Sequence, residues 1–206
     1  MSVRTPENVK ILEKKTLYKK FFEVDEYTFE YPLYNGKMSS PVSYEVMERG
    51  NAVGVLLYDP DREKLVFVEQ FRVGVFFAGD PEPWLLECPA GIMDHKGEMP
   101  EAVAVREAKE ETGEIVADLE PIVSYYSSPG GLSEKIHLFC GRVDSERAAA
   151  YAGLECENED IRVVVLPVAE AEQMLTAGKF VNALTIIAMQ WFMLNKDKLR
   201  QKWGVK

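Results

Sequence analysis

Three glutamates, Glu107, Glu110 and Glu111, fall within five residues near the middle of the chain. The surrounding sequence predicts a helix from about Pro100 to Gly113, because proline is tolerated in a first helical turn and glycine is favoured just after the last one. On this helix Glu107 and Glu111 stack one turn apart, where like charges repel and both acids lie near the negative end of the helix dipole. A divalent cation held by carboxylate oxygens would relieve both conflicts, so the spacing predicts a metal site.

A solvated acidic face is the ordinary alternative for a charged helix. Two features favour the metal site instead. The acids share their side of the helix with Val103 and Ala104, so this side is expected to face a sheet. Arg106 lies beside them, eight residues after Glu98, and can join the helix to the preceding loop by a carboxylate–guanidinium contact. That loop, residues 91–97, also brings backbone carbonyls within reach of a metal.

The same stretch resembles the signature of the Nudix hydrolase family, G-x5-E-x7-R-E-U-x-E-E-x-G-U, in which U is apolar. The matching residues are, in order, Gly91, Glu98, Arg106, Glu107, Ala108, Glu110, Glu111 and Gly113. Two positions depart from the pattern. Six residues rather than five separate Gly91 from Glu98, and Glu114 stands at an apolar position, where the neighbouring Ile115 is expected to provide the apolar cover.

The resemblance implies a Mg²⁺-dependent enzyme, with Mn²⁺ as a substitute. The metal would be held by Glu107, Glu111 and the Ala90 carbonyl, with Glu110 assisting. It would polarise a pyrophosphate and lower the pKa of an attacking water. The residues that the resemblance implies to be structural are Gly91, Glu98, Arg106 and Gly113.

Composition limits the remaining possibilities. The chain has 206 residues, of which 47% are hydrophobic, enough for one domain with an appendage. The net charge of −10 argues against binding to nucleic acid or to anionic membranes, both of which require basic patches. Three cysteines without CxxC spacing favour reduced thiols. The N-terminus has no apolar leader segment, and no run reaches the ~20 apolar residues of a membrane span. We therefore expect a soluble, cytoplasmic protein.

The first 50 residues have the pattern of a small antiparallel sheet. Residues 9–48 are strand-like, and Asn35-Gly36 is a hairpin signal before a return strand at 43–48. A sheet this small cannot bury both faces by itself, so it needs the main domain or a second copy of the chain. We therefore predict an N-terminal β subdomain at 1–50, used for dimerisation, and a catalytic domain at 51–206.

The rest of the chain alternates apolar strands with two further helices. The predicted strands are 53–58, 65–71, 84–88, 122–126, 136–143 and 161–167, and the predicted helices after the acidic one are 168–177 and 183–202, with Asn182 as a helix cap. This order agrees with the fold that the family resemblance implies: an α/β (α+β) sandwich with helices on both faces of a mixed sheet.

Other segments resemble the bacterial ADP-ribose pyrophosphatase branch of the family. Pro129, in SSPGG, lies 16 residues after Gly113, a spacing typical of that branch, and similarity covers nearly the whole chain. The resemblance implies hydrolysis of ADP-ribose to AMP and ribose 5-phosphate by a homodimer. The substrate-binding residues that it implies are Phe21, stacking on adenine from the partner subunit, Arg72, contacting the phosphates, and Glu134, holding the distal part of the ligand. Tyr44 departs from the branch, in which an arginine is expected.

A base for the attacking water is still required, and residues 155–160 place four acids within six positions. An acidic surface loop is the ordinary alternative. The resemblance assigns the base to Glu157 and makes Glu159 an additional metal contact.

Three other functions remain open. Hydrolysis of another nucleoside diphosphate sugar, such as GDP-mannose, is the nearest. Hydrolysis of dinucleoside polyphosphates or mutagenic nucleotides is less favoured by the Pro129 spacing. A non-catalytic ADP-ribose-binding module is disfavoured because Glu107, Glu110 and Glu111 are all retained.

Overall fold

The structure is a computed structural model that describes residues 4–95, 97–154 and 159–204. Its contacts divide the chain into two units. The first comprises Met1–Asn51 with Tyr125–Lys135, and the second comprises Ala52–Ser124 with Ile136–Lys206. The functional division at residues 1–50 and 51–206 stays a prediction.

The first unit contains a three-stranded antiparallel sheet in the order β1 (Lys10–Lys19), β2 (Glu23–Glu30) and β3 (Val42–Glu48). The predicted turn between β2 and β3 is present: Gly36 has a φ of 82°, and the Asn35 side chain accepts a hydrogen bond from the Lys37 N–H. Every residue of β1 is exposed within the chain. The sheet therefore leaves apolar surface uncovered.

The elements that position the acidic residues follow β3. In chain order they are β4 (Ala52–Asp59), β5 (Lys64–Phe71), α1 (Val73–Phe77), β6 (Trp84–Glu87), β7 (Ala90–Ile92), α2 (Pro100–Thr112), β8 (Asp118–Tyr126), β9 (Lys135–Arg142), β10 (Tyr151–Ala152), β11 (Ile161–Pro167), α3 (Val168–Thr176) and α4 (Ala183–Lys202). In the described ranges, no helix combines the length and apolar character needed to cross a bilayer.

An eight-stranded mixed sheet forms the centre of the second unit. Its main path is β10-β11-β5-β4-β9-β8, with β6 paired to β5 and β7 paired to β4. β4 and β9 are parallel, whereas β4 and β5 are antiparallel. Side chains alternate along β4, so Val55 packs in the core cluster that includes Val103 of α2, whereas Gly54 lies directly against Leu184 of α4. Helices thus cover both faces, which confirms the predicted fold class.

Three elements were not predicted: α1, β7 and the two-residue strand β10. The segment between β5 and β6, expected to be a loop, contains α1, and the loop after β6 contains β7. β7 is only three residues long and pairs with β4, which lies far from it in sequence. None of the three is long enough to display its own hydrophobic period, so the sequence pattern does not reveal them.

The residue that departs from the apolar pattern after α2 is itself buried. Glu114 is 0% exposed, whereas Ile115 is 62% exposed, so the expectation that Ile115 would provide the apolar cover is wrong. Neither carboxylate oxygen of Glu114 makes a hydrogen bond of normal geometry to a described residue. The Asp144 backbone N–H lowers the pKa of Glu114, but by less than burial raises it. Burial raises the pKa of Glu114 to about 7, and the charges of Asp144 and Asp59 act in the same direction.

Replacing this acid with an apolar residue should stabilise the protein. We expect Glu114→Leu to raise the free energy of unfolding by about 1–3 kcal/mol at pH 8, because it removes a buried polar group with poor compensation. Since the folded-state pKa is raised from 4.5 to about 7, the wild-type protein loses stability as pH rises through that window. Thermal unfolding at pH 5 and pH 8 should show a larger gain at pH 8. A Glu114→Leu variant that melts below the wild-type protein at pH 8 would contradict this, and the exposed Glu101→Leu serves as control.

Candidate active site

Helix α2 brings the acidic residues against the sheet. It begins at Pro100 and ends at Thr112, followed by Gly113 in the left-handed conformation with a φ of 77°. These bounds confirm the predicted helix. Val103 and Ala104 are buried, and Glu107 and Glu111 are buried on the same side of the helix. The acids therefore do not form a solvated face.

Both buried carboxylates lie against the backbone of β7. The Ala90 N–H donates a hydrogen bond of 3.0 Å to Oε2 of Glu111. A Cβ atom added at Gly91 would lie 2.0 Å from Oε1 of Glu107, closer than two non-bonded atoms can approach. Only glycine therefore leaves space for the Glu107 carboxylate at this point. The arrangement places Glu107, Glu111 and the Ala90–Gly91 backbone at one location.

The electrostatics of this location fit a divalent cation. Burial raises the pKa of Glu111 to about 8, while the Ala90 N–H lowers it. The charges of Glu107 and Glu159 raise the same pKa, and the charge of Arg72 lowers it. Burial and a neighbouring acid both make it hard for Glu111 to ionise. Glu111 can therefore become a carboxylate only when positive charge lies close to it. Oxygen ligands of this type suit Mg²⁺ or a related hard cation.

Arg106 supplies part of the positive charge from the same helix. Its Nη1 lies 2.8 Å from Oε1 of Glu107 and 3.0 Å from Oε2 of Glu110. Its Nε lies 3.5 Å from Oε1 of Glu98, which makes the expected contact to the preceding loop the longest of the three. Arg106 thus mainly balances two acids of α2.

A second group of polar side chains lies on the loop before α2. Potential ligand atoms of Asp94, His95 and Glu98 lie within 4.8 Å of one another. Asp94 and His95 are exposed. Sequence reasoning did not single out this group, because its members lack a recognisable ligand spacing.

The two ends of the acidic loop are held together beside α2. The Glu159 N–H donates to the Leu154 carbonyl at 3.2 Å, and the Gly153 N–H donates to the Glu110 carbonyl at 3.3 Å. Because Glu110 is adjacent to Glu111 on α2, the hydrogen bond from Gly153 places this end of the loop near the buried acids. Glu157 lies outside the described residues.

Arg72 lies at the end of β5 and contacts an acid that sequence reasoning missed. Its Nε donates to Oε2 of Glu87 at 2.9 Å, and its Nη2 contacts the same oxygen. Glu87 is buried on β6, and its other oxygen accepts from Asn182 at 2.9 Å. An acid inside the apolar stretch WLLEC was the signal that could have revealed it.

The other predicted substrate residues belong to the first unit. Phe21 is 74% exposed. Glu134 is buried, with Oε1 3.2 Å from Nε of Arg49 and Oε2 accepting from the Ser127 hydroxyl at 2.8 Å. Tyr44 is exposed, and its ring lies 5.8 Å from that of Phe29. Their proposed contacts with substrate stay predictions.

Comparisons with known proteins identify relatives of this chain. The family profile of the NUDIX domain matches residues 48–184. The chain is 43% identical over 197 residues to the ADP-ribose pyrophosphatase of Escherichia coli (strain K12), covering 96% of this chain and 93% of that protein. It is 34% identical over 190 residues to a GDP-mannose pyrophosphatase of Salmonella arizonae, covering 92% and 97%.

A solved structure described as an ADP compounds hydrolase has a similar fold. The TM-score is 0.68 at 24% sequence identity, and the match covers 96% of each chain. This likeness extends over both units of the chain and supports the fold alone.

Proposed function

We propose that this chain, which belongs to the Nudix hydrolase family, hydrolyses the pyrophosphate bond of ADP-ribose to AMP and ribose 5-phosphate. The observation that carries the proposal is the pair of buried acids, Glu107 and Glu111, held against the Ala90–Gly91 backbone. An acid pair in this position is costly without a cation, which disfavours a module that only binds ADP-ribose. The relative named ADP-ribose pyrophosphatase supports the choice of substrate.

The proposed metal ligands are the carboxylates of Glu107 and Glu111 and the carbonyl of Ala90, with Glu110 and Glu159 assisting. When bound, Mg²⁺ or Mn²⁺ supplies positive charge that polarises the pyrophosphate and lowers the pKa of the attacking water. Arg106 keeps Glu107 and Glu110 oriented through its contacts of 2.8 and 3.0 Å. Gly91 leaves the space that the Glu107 carboxylate occupies.

Proton transfer and substrate binding are assigned to side chains outside the metal site. Glu157, outside the described residues, is proposed to accept the proton of the attacking water. Arg72 is proposed to bind the pyrophosphate, because its charge already acts on Glu111 from the end of β5. Phe21 and Glu134 are proposed to hold the adenine and the distal ribose.

GDP-mannose is the second candidate substrate, because a relative at 34% identity bears the name GDP-mannose pyrophosphatase. Both candidates contain a pyrophosphate, so the same acids would serve either one. Tyr44, which replaces the arginine expected in the ADP-ribose branch, is the residue most suited to altering recognition of the base or ribose.

A substrate panel tests the choice. With Mg²⁺ present, we expect a higher kcat/KM for ADP-ribose than for GDP-mannose, NADH, diadenosine polyphosphates or 8-oxo-dGTP. Separation of the products by chromatography should show AMP and ribose 5-phosphate. A higher kcat/KM for another member of the panel would overturn the substrate assignment, and tight binding of ADP-ribose without cleavage would indicate a binding module.

We also propose that the protein is a homodimer in which the first unit contacts the partner chain and each site receives Phe21 from the other subunit. The support is the exposed apolar surface of the first unit, which includes Ile11, Leu12 and Phe21 at 67%, 52% and 74% exposure. A three-stranded sheet with that much apolar surface needs a covering partner. The cytoplasmic location stays a prediction.

The dimer is tested by light scattering. We expect the wild-type protein to have twice the mass of one chain and the double variant Ile11→Lys, Leu12→Lys to dissociate and lose activity. Glu13→Lys changes the charge by the same amount on the same strand and should remain dimeric. An active monomer at micromolar concentration would contradict the proposal.

A further inference from the structure

The buried carboxylate of Glu87 has two partners. Oε2 accepts from Nε of Arg72 at 2.9 Å and also contacts Nη2 of Arg72, whereas Oε1 accepts from Nδ2 of Asn182 at 2.9 Å. Glu87 is 2% exposed and lies at the end of β6. One oxygen therefore holds the arginine, and the other is fixed by a neutral side chain.

Asn182 is itself fixed by the start of α4. Its Oδ1 accepts from the Thr185 N–H at 3.1 Å, which makes it the N-cap of the helix. The Thr185 hydroxyl accepts from the Cys88 N–H at 3.0 Å, directly after β6. The start of α4 and the end of β6 are thus joined by hydrogen bonds at two points. Glu87 has little freedom to move between them.

The guanidinium of Arg72 is left with one side available. Its Nε and Nη2 are directed to Glu87, and Nη1 has no hydrogen-bond partner among the described residues. Glu87, which holds this guanidinium, lies three residues before Ala90, and the Ala90 N–H donates to Oε2 of Glu111 at 3.0 Å. Arg72 is therefore held near the acid pair as well as beside Glu87. A planar guanidinium held along one edge presents its remaining donors in a defined direction.

We propose that Glu87 and Asn182 are positioning residues that orient Arg72 toward the pyrophosphate of the substrate. This inference rests on the proposed function, since it requires a pyrophosphate at Arg72. The physical reason is that a long, flexible arginine side chain loses less freedom on binding a phosphate when it is already held in place. Glu87 does not contact substrate and acts through Arg72 alone.

A purely structural role for Glu87 makes a different prediction. If Glu87 only joined β6 to α4, its loss would lower stability and activity regardless of the residue at position 72. If it positions Arg72, its effect on activity must vanish once the guanidinium is removed. A double-mutant cycle separates the two roles, because interacting residues are non-additive.

The experiment measures kcat and KM for wild type, Glu87→Gln, Arg72→Ala and the double variant, on whichever of ADP-ribose and GDP-mannose the wild type cleaves faster. We expect Arg72→Ala to lower kcat/KM by about 100-fold and Glu87→Gln by about 10-fold, mainly through KM, as for loss of charge-assisted hydrogen bonds. The double variant should match Arg72→Ala within about twofold, whereas independent effects would multiply to about 1,000-fold. Mg²⁺ affinity by calorimetry should be unchanged in Glu87→Gln.

Asn182→Ser provides a second arm that remains available if Glu87→Gln does not fold. Serine retains the N-cap acceptor but has no amide donor for Glu87. It should raise KM severalfold in the wild-type background and leave KM unchanged in the Arg72→Ala background. If the wild-type enzyme is active but the effects in these cycles are additive, the positioning role is wrong and the proposed function still stands. A wild type that cleaves neither substrate would overturn the proposed function, and the inference with it.

Discussion

Glu111→Gln should reduce ADP-ribose hydrolysis by more than about 100-fold. A loss of about 100-fold is already the most expected from removing a residue that only supports a metal ligand. Glu111 is proposed as a direct ligand, so its loss should cost more. The fold should survive, because a glutamine oxygen can still accept from the Ala90 N–H, as Oε2 of Glu111 does at 3.0 Å. Calorimetry should show weaker Mg²⁺ binding.

The same substitution should change how stability depends on pH in the metal-free protein. The pKa of Glu111 is raised from 4.5 to about 8, so between these values the folded state holds a proton that the unfolded state has released. Wild-type stability therefore falls as pH rises through this window, and Glu111→Gln removes that contribution to the slope. We expect the metal-free variant to melt above the wild type at pH 8.5. Added Mg²⁺ should reverse the order, since only the wild type binds it tightly.

Glu101→Gln is the matched control, because Glu101 is an exposed acid in the first turn of the same helix. It should retain activity and Mg²⁺ affinity. If Glu107→Gln and Glu111→Gln both bound Mg²⁺ as the wild type does, the assignment of the metal ligands would be wrong.

Glu157→Gln should lower kcat by roughly 10²–10⁴-fold, the usual contribution of a general base, while ADP-ribose and Mg²⁺ still bind. Glu107 and Glu111 of α2 are unsuited to this role, because Glu107 contacts Arg106 and Glu111 is proposed to hold metal. The base must lie on an element that can approach the water once substrate is bound. The loop that carries Glu157 has its ends joined beside Glu110 through Gly153 and Glu159.

Steady-state kinetics on three loop variants distinguish the candidates. Glu155→Gln should be nearly neutral and serves as the control. A larger loss in Glu159→Gln than in Glu157→Gln would move the base by two residues. Small losses in both would exclude this loop as the source of the base and direct attention to Glu110.

Local sequence by itself determined the elements that carry the acids. Pro100 and Gly113 delimit α2 because their backbone preferences apply in any context, and the 3.6-residue period places Glu107 and Glu111 on one side of it. The longer strands of the central sheet and the long helix α4 were predictable for the same reason: each is long enough to show its own period, unlike β7 and β10. Family resemblance added the reaction, which periodicity cannot provide.

Only the tertiary structure decided which groups meet. The contact between Gly91 and Glu107 depends on β7, a three-residue strand that exists because it pairs with β4. The burial of Glu114, against the expectation that Ile115 would cover this position, depends on the packing around the end of α2. Arg72, Glu87 and Asn182 are brought together from separate parts of the sequence. Such contacts depend on the relative placement of distant elements, which backbone preference and local hydrophobic pattern do not encode.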